Sequence, residues 1–137
     1  MAAQKGYLGN VNLKQIDEKI EFTQEQVEEY KKCSKSVEYF LTNYAKIVSL
    51  DDGIVPFKPF PYQKRILKSL STHRKILCKL FRQGGKSSIV AGYFAWYCLF
   101  KGNKTACIMA NKMFTAKEIF SRVQFILEHC PKWLQQG

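Results

Sequence analysis

The feature that most constrains this chain is a glycine pair followed by a lysine and two serines. Residues 82–88 read Arg-Gln-Gly-Gly-Lys-Ser-Ser, and the apolar run 76–80 before them is typical of a buried strand. Residues 87–100 are apolar at nearly every position and are followed by a Lys-Gly-Asn helix-stop signal. A turn from a strand into a helix presents unpaired N–H groups and the positive end of the helix dipole, which attract phosphate. Residues 82–88 are therefore predicted to form a phosphate-binding loop.

The residue types in this loop suit separate tasks in nucleotide binding. Gly84 and Gly85 allow the backbone to curl around an anion, and Lys86 can reach the β- and γ-phosphates. The hydroxyl of Ser87 can bind Mg²⁺. The pattern G-x-x-x-x-G-K-[ST] is incomplete, because Leu80 occupies the position of its first glycine. The alternative interpretation is a glycine-rich turn with a solvated lysine.

The remaining periodicity predicts alternating helices and strands. Thr23 and Gln26 have the spacing of a capping box, which predicts that a helix begins there. The predicted helices cover residues 23–44, 62–70, 87–100 and 114–129, and a second strand covers residues 105–110. The order strand–helix–strand–helix implies parallel strands joined by right-handed crossovers, and thus an α/β fold.

Several segments, in the same order along the chain, resemble the large terminase subunit of T-even-like tailed bacteriophages, the ATPase that pumps DNA into procapsids. They are the helix 22–33, the turn 52–55, the Pro-Tyr-Gln-Lys segment 61–64, the loop 82–88 and residues 105–112. Loops of that family often replace the first glycine and carry an arginine. The resemblance implies a partial P-loop NTPase fold, with a RecA-like parallel sheet and flanking helices, preceded by an N-terminal helix.

The resemblance also implies ATP and Mg²⁺ as cofactors. Tyr62 and Gln63 would lie on the adenine side, because a glutamine amide offers a donor and an acceptor to the base. The alternative interpretation is that Tyr62 is a core aromatic residue and Gln63 an exposed helix residue.

Arg82 would act on the γ-phosphate as an arginine finger in cis. The alternative interpretation is that Arg82 is a surface arginine. Phe81 departs from the family, where a small or hydroxylated residue is usual. The expected nucleotide-binding set is Gln63, Gln83, Gly84, Gly85, Lys86, Ser87 and Ser88.

The acidic residues are distributed unevenly along the chain. A packaging ATPase needs two carboxylates at the end of a further strand, one for Mg²⁺ and one to activate water. Only Glu118 and Glu128 follow the loop, and both fall on a predicted amphipathic helix. We therefore expect an N-terminal arm (1–22), followed by the first part of an ATPase domain (23–137) that does not hydrolyse ATP by itself.

The composition suits one small domain with a basic surface. The chain has 22 Lys and Arg against 11 Asp and Glu, a net charge of +11, and 46% hydrophobic residues. The charge fits a DNA-handling protein or a solvated surface. The five cysteines have no metal-binding spacing and are predicted to be reduced core thiols.

The resemblance implies several partners and a location. The partners are double-stranded DNA, the portal protein, the small terminase subunit and the remainder of the large subunit, in the host cell cytoplasm. No leader is recognised, and no apolar run is long enough for a membrane span, so no membrane contact is expected.

Two other classes of function remain open. The Tyr-Gln segment followed by a phosphate loop also occurs in superfamily-two helicases, which would make this the start of a nucleic-acid translocase. The chain could also be a non-enzymatic binding module that docks on another packaging component.

Overall fold

Helices dominate the part of the chain that the computed structural model describes, residues 6–49 and 51–135. After a 3-10 turn at Tyr7–Gly9, the elements are α1 (Gln24–Lys35), α2 (Val37–Tyr44), β1 (Lys46–Ser49), β2 (Gly53–Pro56), α3 (Pro61–Thr72), α4 (Lys86–Phe100) and α5 (Met113–Glu128). β1 and β2 pair as an antiparallel ladder with Ile47 opposite Val55. None of the helices in these residues is long and apolar enough to cross a membrane.

The expected fold class, a partial P-loop NTPase with a RecA-like parallel sheet, is wrong. Among the described residues the strands are β1 and β2, which are antiparallel. The predicted strands 76–80 and 105–110 have no strand partner and no backbone hydrogen bond there. Leu77, expected in the core, is 98% exposed, and Met109 is 89% exposed. The physical reason is that a strand persists only when its backbone pairs with a neighbour, and an apolar run does not supply one.

The three predicted helices around and after the loop are present. The predicted ranges 62–70, 87–100 and 114–129 correspond to α3, α4 and α5, with ends that differ by at most two residues. Pro61 occupies the first turn of α3, where a proline needs no N–H partner.

The predicted helix 23–44 is instead two helices separated at Ser36. The capping box at its start is present, since the Gln26 N–H donates to the Thr23 hydroxyl at 3.3 Å. Ser36 has an extended backbone, φ −134° and ψ 110°, and its hydroxyl accepts a hydrogen bond from the Tyr39 N–H at 3.2 Å. A serine that caps a second helix adopts an extended backbone, which prevents the first helix from continuing through it. For this reason α1 ends before Ser36 and α2 begins after it.

The core is formed mainly by helices packed on helices. Its large, fully buried side chains are Phe40, Leu41, Leu67, Ile89, Ile126 and Leu134. α2 and α4 approach closely at Gly92, where an added Cβ would lie 2.7 Å from Cδ2 of Leu41. The indole N–H of Trp96 donates to the Cys33 carbonyl at 2.7 Å, which ties α4 to α1. The loop before α4 is therefore attached to a helix held on several sides.

The cysteines divide into two groups. Cys33 and Cys130 are buried, as expected for core thiols. Cys78, Cys98 and Cys107 are exposed, so the expectation for them is wrong. Two of these three lie in the predicted strands that do not pair, which explains why their apolar surroundings do not bury them.

The N-terminal stretch lies against the end of α5. The side-chain amide of Asn10 donates to Glu128 at 2.7 Å. The Lys14 N–H donates to Oε1 of Gln135 at 2.8 Å, and Nε2 of Gln135 donates to the Asn12 carbonyl at 3.1 Å. The described part of the predicted arm is thus irregular but held by specific hydrogen bonds; residues 1–5 lie outside the described residues.

Glu29 accepts three hydrogen bonds, two of which connect α1 to α2. Its carboxylate accepts from Lys32 Nζ at 2.8 Å, from the Tyr39 hydroxyl at 2.7 Å and from the Tyr44 hydroxyl at 2.9 Å. These bonds, that of Lys32 first, lower the pKa of Glu29 from its ordinary value of 4.5 to about 2.

Glu29→Gln is expected to lower the thermal unfolding midpoint at neutral pH and to have little effect near pH 2. Because the folded-state pKa lies below 4.5, the stabilisation from the carboxylate is fully present above pH 4.5 and is lost as the pH falls through about 2. Thermal unfolding of both proteins across this range is the measurement. Glu28→Gln, one position away on α1, is the control, because it removes the same charge without removing these three hydrogen bonds. A constant difference at every pH would contradict the role of the Glu29 charge.

Candidate functional site

The predicted phosphate loop is a tight turn that leads directly into α4. Gln83 and Gly85 both have left-handed backbone, with φ of 65° and 69°. The Gly84 N–H donates to the Phe81 carbonyl at 3.3 Å and closes the turn. α4 begins immediately after Gly85, and within the described residues the N–H groups of positions 86–88 have no hydrogen-bond partner. This helix end therefore offers unpaired donors at the positive end of a 15-residue helix.

The loop residues enclose a small open cavity together with one residue from α5. The cavity has a volume of about 250 Å³, and its lining consists of Gln83, Gly84, Gly85, Lys86, Ser87, Ser88 and Arg122. Every predicted nucleotide-binding residue except Gln63 thus lies on its wall. The lining contains no carboxylate, so the cavity favours an anion over a cation.

Lys86 and Arg82 both carry free charges but occupy different positions. Both side chains are exposed, and neither has an ion pair or hydrogen bond with another described residue. Lys86 lines the cavity, whereas Arg82 does not. A ligand in the cavity would therefore meet Lys86 first.

Tyr62 and Gln63 bind the backbone of the loop itself. The Tyr62 hydroxyl donates to the Gly84 carbonyl at 2.9 Å, and Nε2 of Gln63 lies 3.5 Å from the same oxygen. Oε1 of Gln63 accepts from the Phe60 N–H at 2.9 Å, and this glutamine is 3% exposed. The pair predicted for the adenine side thus lies at the start of α3, and its two donors, the Tyr62 hydroxyl and the Gln63 Nε2, are directed at the Gly84 carbonyl, where they support the turn.

Arg122 is the lining residue that sequence reasoning missed. Its Nη1 donates to the Ser88 hydroxyl at 3.3 Å, and its Nη2 forms an ion pair with Glu118 at 3.2 Å. The one sequence signal was the i,i+4 spacing of these two charges on the predicted helix, which indicates a surface ion pair and not a loop contact. The packing of α5 against α4 brings the guanidinium to the loop.

The described residues offer little protein ligation for a metal ion. They contain no group of three or more His, Cys, Asp or Glu side chains that could hold one. Ser87, whose hydroxyl is the predicted ligand, is one of the residues that line the cavity. A single hydroxyl suits Mg²⁺ that arrives with phosphate oxygens and water as its other ligands.

A second cavity adjoins the first. It has a volume of about 390 Å³, lies between β1, α4 and α5, and shares Ser88 and Arg122 with the loop cavity. Much of its wall is apolar, with Ile47, Ala91 and Phe125 among the lining side chains. The two cavities together provide space for an anionic group beside an apolar or aromatic one.

Gly85→Ala is expected to destabilise the fold by about 1–2 kcal/mol, because left-handed backbone disfavours a Cβ. The new Cβ would also lie 2.6 Å from Nε2 of Gln63, which adds a clash with a buried side chain. Urea unfolding is the measurement, and Gly102→Ala is the control because nothing lies within 4 Å of a Cβ at that position. Equal effects at the two glycines would contradict the loop geometry.

No protein-family model matches this chain. The assignment of function therefore depends on the loop, its cavity and the motif that the loop carries.

Proposed function

We propose that this chain binds the triphosphate of ATP, together with Mg²⁺, at residues 83–88. It would serve as the nucleotide-binding part of a DNA-packaging motor of the large-terminase type. The observation that carries the proposal is the cavity of about 250 Å³ whose wall combines glycine backbone, Lys86, two serine hydroxyls and Arg122. Unpaired amides at a helix start and two cations are the groups that recognise phosphate.

Each part of the wall has a distinct task in this proposal. Lys86 contacts the β- and γ-phosphates, the amides of the first turn of α4 bind phosphate oxygens, and the Ser87 hydroxyl holds Mg²⁺. Arg122, from α5, adds a forked, planar donor to the cavity wall. Tyr62 and Gln63 keep the Gly84 carbonyl directed away from the ligand, since that carbonyl accepts their hydrogen bonds.

The charge of the chain supports a role near DNA. No Asp or Glu occurs from residue 53 to residue 117, which contains the whole phosphate loop. A surface that carries only positive charge favours contact with a polyanion. Double-stranded DNA, the portal protein, the small terminase subunit and the remainder of the large subunit are the proposed partners, and the host cell cytoplasm is the proposed location.

A nucleotide-binding module without turnover is the second candidate. It is favoured by the absence of any carboxylate from the described cavity wall, because hydrolysis requires a group that positions the attacking water. A translocase of the helicase type would need that same group. Both candidates bind ATP, and under both this chain by itself is expected to hydrolyse ATP no faster than background.

The proposal is tested by calorimetric titration of the purified chain with ATP in the presence of MgCl₂. ATP and inorganic triphosphate are both expected to bind, whereas adenosine is not, because the cavity recognises phosphate. Phosphate release is measured in parallel and is expected to stay at background. Binding of adenosine with the same affinity as ATP, or no binding of either phosphate ligand, would contradict the proposal.

A further inference from the structure

The second cavity, between β1, α4 and α5, lies directly beside the loop cavity. Ser88 and Arg122 line both cavities, and Nη1 of Arg122 donates to the Ser88 hydroxyl at 3.3 Å. The second cavity has a volume of about 390 Å³, within the range of about 300–1,000 Å³ that is usual for ligand pockets. A ligand whose phosphates occupy the loop cavity therefore has space for the rest of the molecule next to them.

The two cavities differ in the charge of their walls. Among the described residues, the loop cavity is lined by cations and by no carboxylate. The second cavity combines Lys46 and Arg122 with the carboxylate of Glu118, which forms an ion pair with Arg122 at 3.2 Å. A carboxylate repels phosphate but accepts hydrogen bonds from hydroxyl and amino groups. The walls therefore favour phosphate in the loop cavity and an uncharged group in the second cavity.

Phe125 gives the second cavity a partly buried aromatic side chain. Its ring stacks on the imidazole of His129, with the ring centroids 4.0 Å apart and the planes 29° from parallel. Ala91 and Ile126, both fully buried, line the cavity as well. Nucleobases stack readily on aromatic side chains, because every base has a π-face. A flat base therefore suits this wall.

The amide of Gln63, predicted for the adenine side, is already engaged within the protein. Its Oε1 accepts from the Phe60 N–H at 2.9 Å, its Nε2 lies 3.5 Å from the Gly84 carbonyl oxygen, and the residue is 3% exposed. A base would reach this amide only by displacing contacts that support the loop. The second cavity requires no such displacement.

We propose that the second cavity is the subsite for the base and ribose of the nucleotide whose triphosphate lies in the loop cavity. The base packs against Phe125, and the ribose hydroxyls donate to Glu118. Stacking does not read the donors and acceptors on a base, so this subsite accepts both ATP and GTP. The inference rests on the proposed function, because the phosphates place the base.

Calorimetric titration of the full chain with ATP, GTP and methyl triphosphate, each with MgCl₂, tests the inference. Methyl triphosphate keeps the phosphate ester but lacks the ribose and the base. ATP and GTP are expected to bind within about threefold of each other and about 10-fold more tightly than methyl triphosphate, because stacking adds to the phosphate contacts. A factor of about 10 is too small to hold adenosine without its phosphates.

Substitutions at Phe125 separate the base from the phosphates. Phe125→Leu keeps an apolar side chain but removes the ring, and it is expected to weaken ATP by about 10-fold. Its affinity for methyl triphosphate is expected to be unchanged, which also shows that the variant is folded. Phe125→Tyr keeps the ring and is expected to keep the affinity for ATP.

Phe60→Ala is the matched control on the adenine side that the family resemblance implies. Phe60 is an exposed aromatic residue that stacks on Tyr62, with the ring centroids 5.9 Å apart, and it lies outside the described walls of both cavities. Its removal is expected to leave the affinity for ATP unchanged.

Photolabelling with 2-azido-ATP locates the base without a substitution. The label is expected within residues 46–48 or 118–126, which line the second cavity. Label confined to residues 60–63, with a loss of ATP affinity in Phe60→Ala and none in Phe125→Leu, would place the base beside Tyr62 and overturn the inference. Equal affinities for ATP and methyl triphosphate would overturn the base subsite but leave the phosphate site standing. Binding of neither ligand would overturn both.

Discussion

Lys86→Ala is expected to weaken ATP binding by about 10- to 100-fold, the largest loss of any side chain around the phosphate loop. A hydrogen bond to a charged group contributes about 1.5–3 kcal/mol, and 1.4 kcal/mol corresponds to a tenfold change in affinity. Lys86 lines the cavity and has no ion-pair partner among the described residues, so its charge is available to a ligand. Calorimetric titration with ATP and Mg²⁺ is the measurement.

Arg82→Ala is the matched control for this substitution. Arg82 carries the same charge and lies four residues before Lys86, but it does not line the cavity. Its removal is expected to change ATP affinity by no more than about threefold, through long-range charge alone. The arginine finger that the resemblance implies for Arg82 would act on the transition state, so that alternative also predicts little change in binding. Equal losses for the two variants would show that the ligand responds to net charge and not to this cavity.

Arg122→Ala completes the series. Its guanidinium already interacts with Glu118 and Ser88, so part of its interaction with a ligand replaces contacts that exist without one. We therefore expect a loss of affinity between those of Arg82→Ala and Lys86→Ala. Arg122→Lys would keep the positive charge but lose the forked guanidinium. Its ATP affinity is expected to lie between those of Arg122→Ala and the unchanged chain.

The helices could be predicted from the sequence because their signals are local. The capping box at Thr23 and Gln26 and the Pro at position 61 determine helix starts from neighbouring residues alone. Strands need a partner that local sequence does not identify. The run 76–80 is apolar enough for a buried strand, yet nothing in the described residues pairs with it.

The candidate site likewise has a local part that the sequence predicts and a long-range part that it does not. The loop from Gln83 to Ser88 is contiguous, so its glycines, lysine and serines could be recognised together. Arg122 reaches the loop only because α5 packs on α4, a long-range contact that no motif encodes. Gln63 was recognised as part of a motif, but its burial under Gly84 depends on how α3 meets the loop.

Leu41→Ala is expected to destabilise the fold by about 2–5 kcal/mol, the largest stability effect that we predict. Leu41 is fully buried, and both of its methyl carbons lie near Gly92, so the substitution leaves a cavity between α2 and α4. A loss of this size is a large fraction of the about 5–15 kcal/mol that holds a small domain folded. Urea unfolding is the measurement.

Gly92→Ala in the Leu41→Ala background tests the contact itself. In the unchanged core the added methyl would lie 2.7 Å from Cδ2 of Leu41, and overpacking of this kind costs about 1–3 kcal/mol, partly offset by the helix preference of alanine. In the double variant the methyl enters the space that Leu41 has vacated. The combined loss is therefore expected to be smaller than the sum of the single losses by about 0.5–3 kcal/mol.

Leu67→Ala combined with Gly92→Ala is the matched control. Leu67 is equally buried, but it is not one of the nearest neighbours of a Cβ at position 92. The two losses are therefore expected to add. Additivity for Leu41 as well would mean that α2 and α4 do not meet at Gly92. Because α4 begins at the phosphate loop, that result would mean that other contacts position the loop. The described packing would then no longer explain the geometry of the cavity on which the proposed function depends.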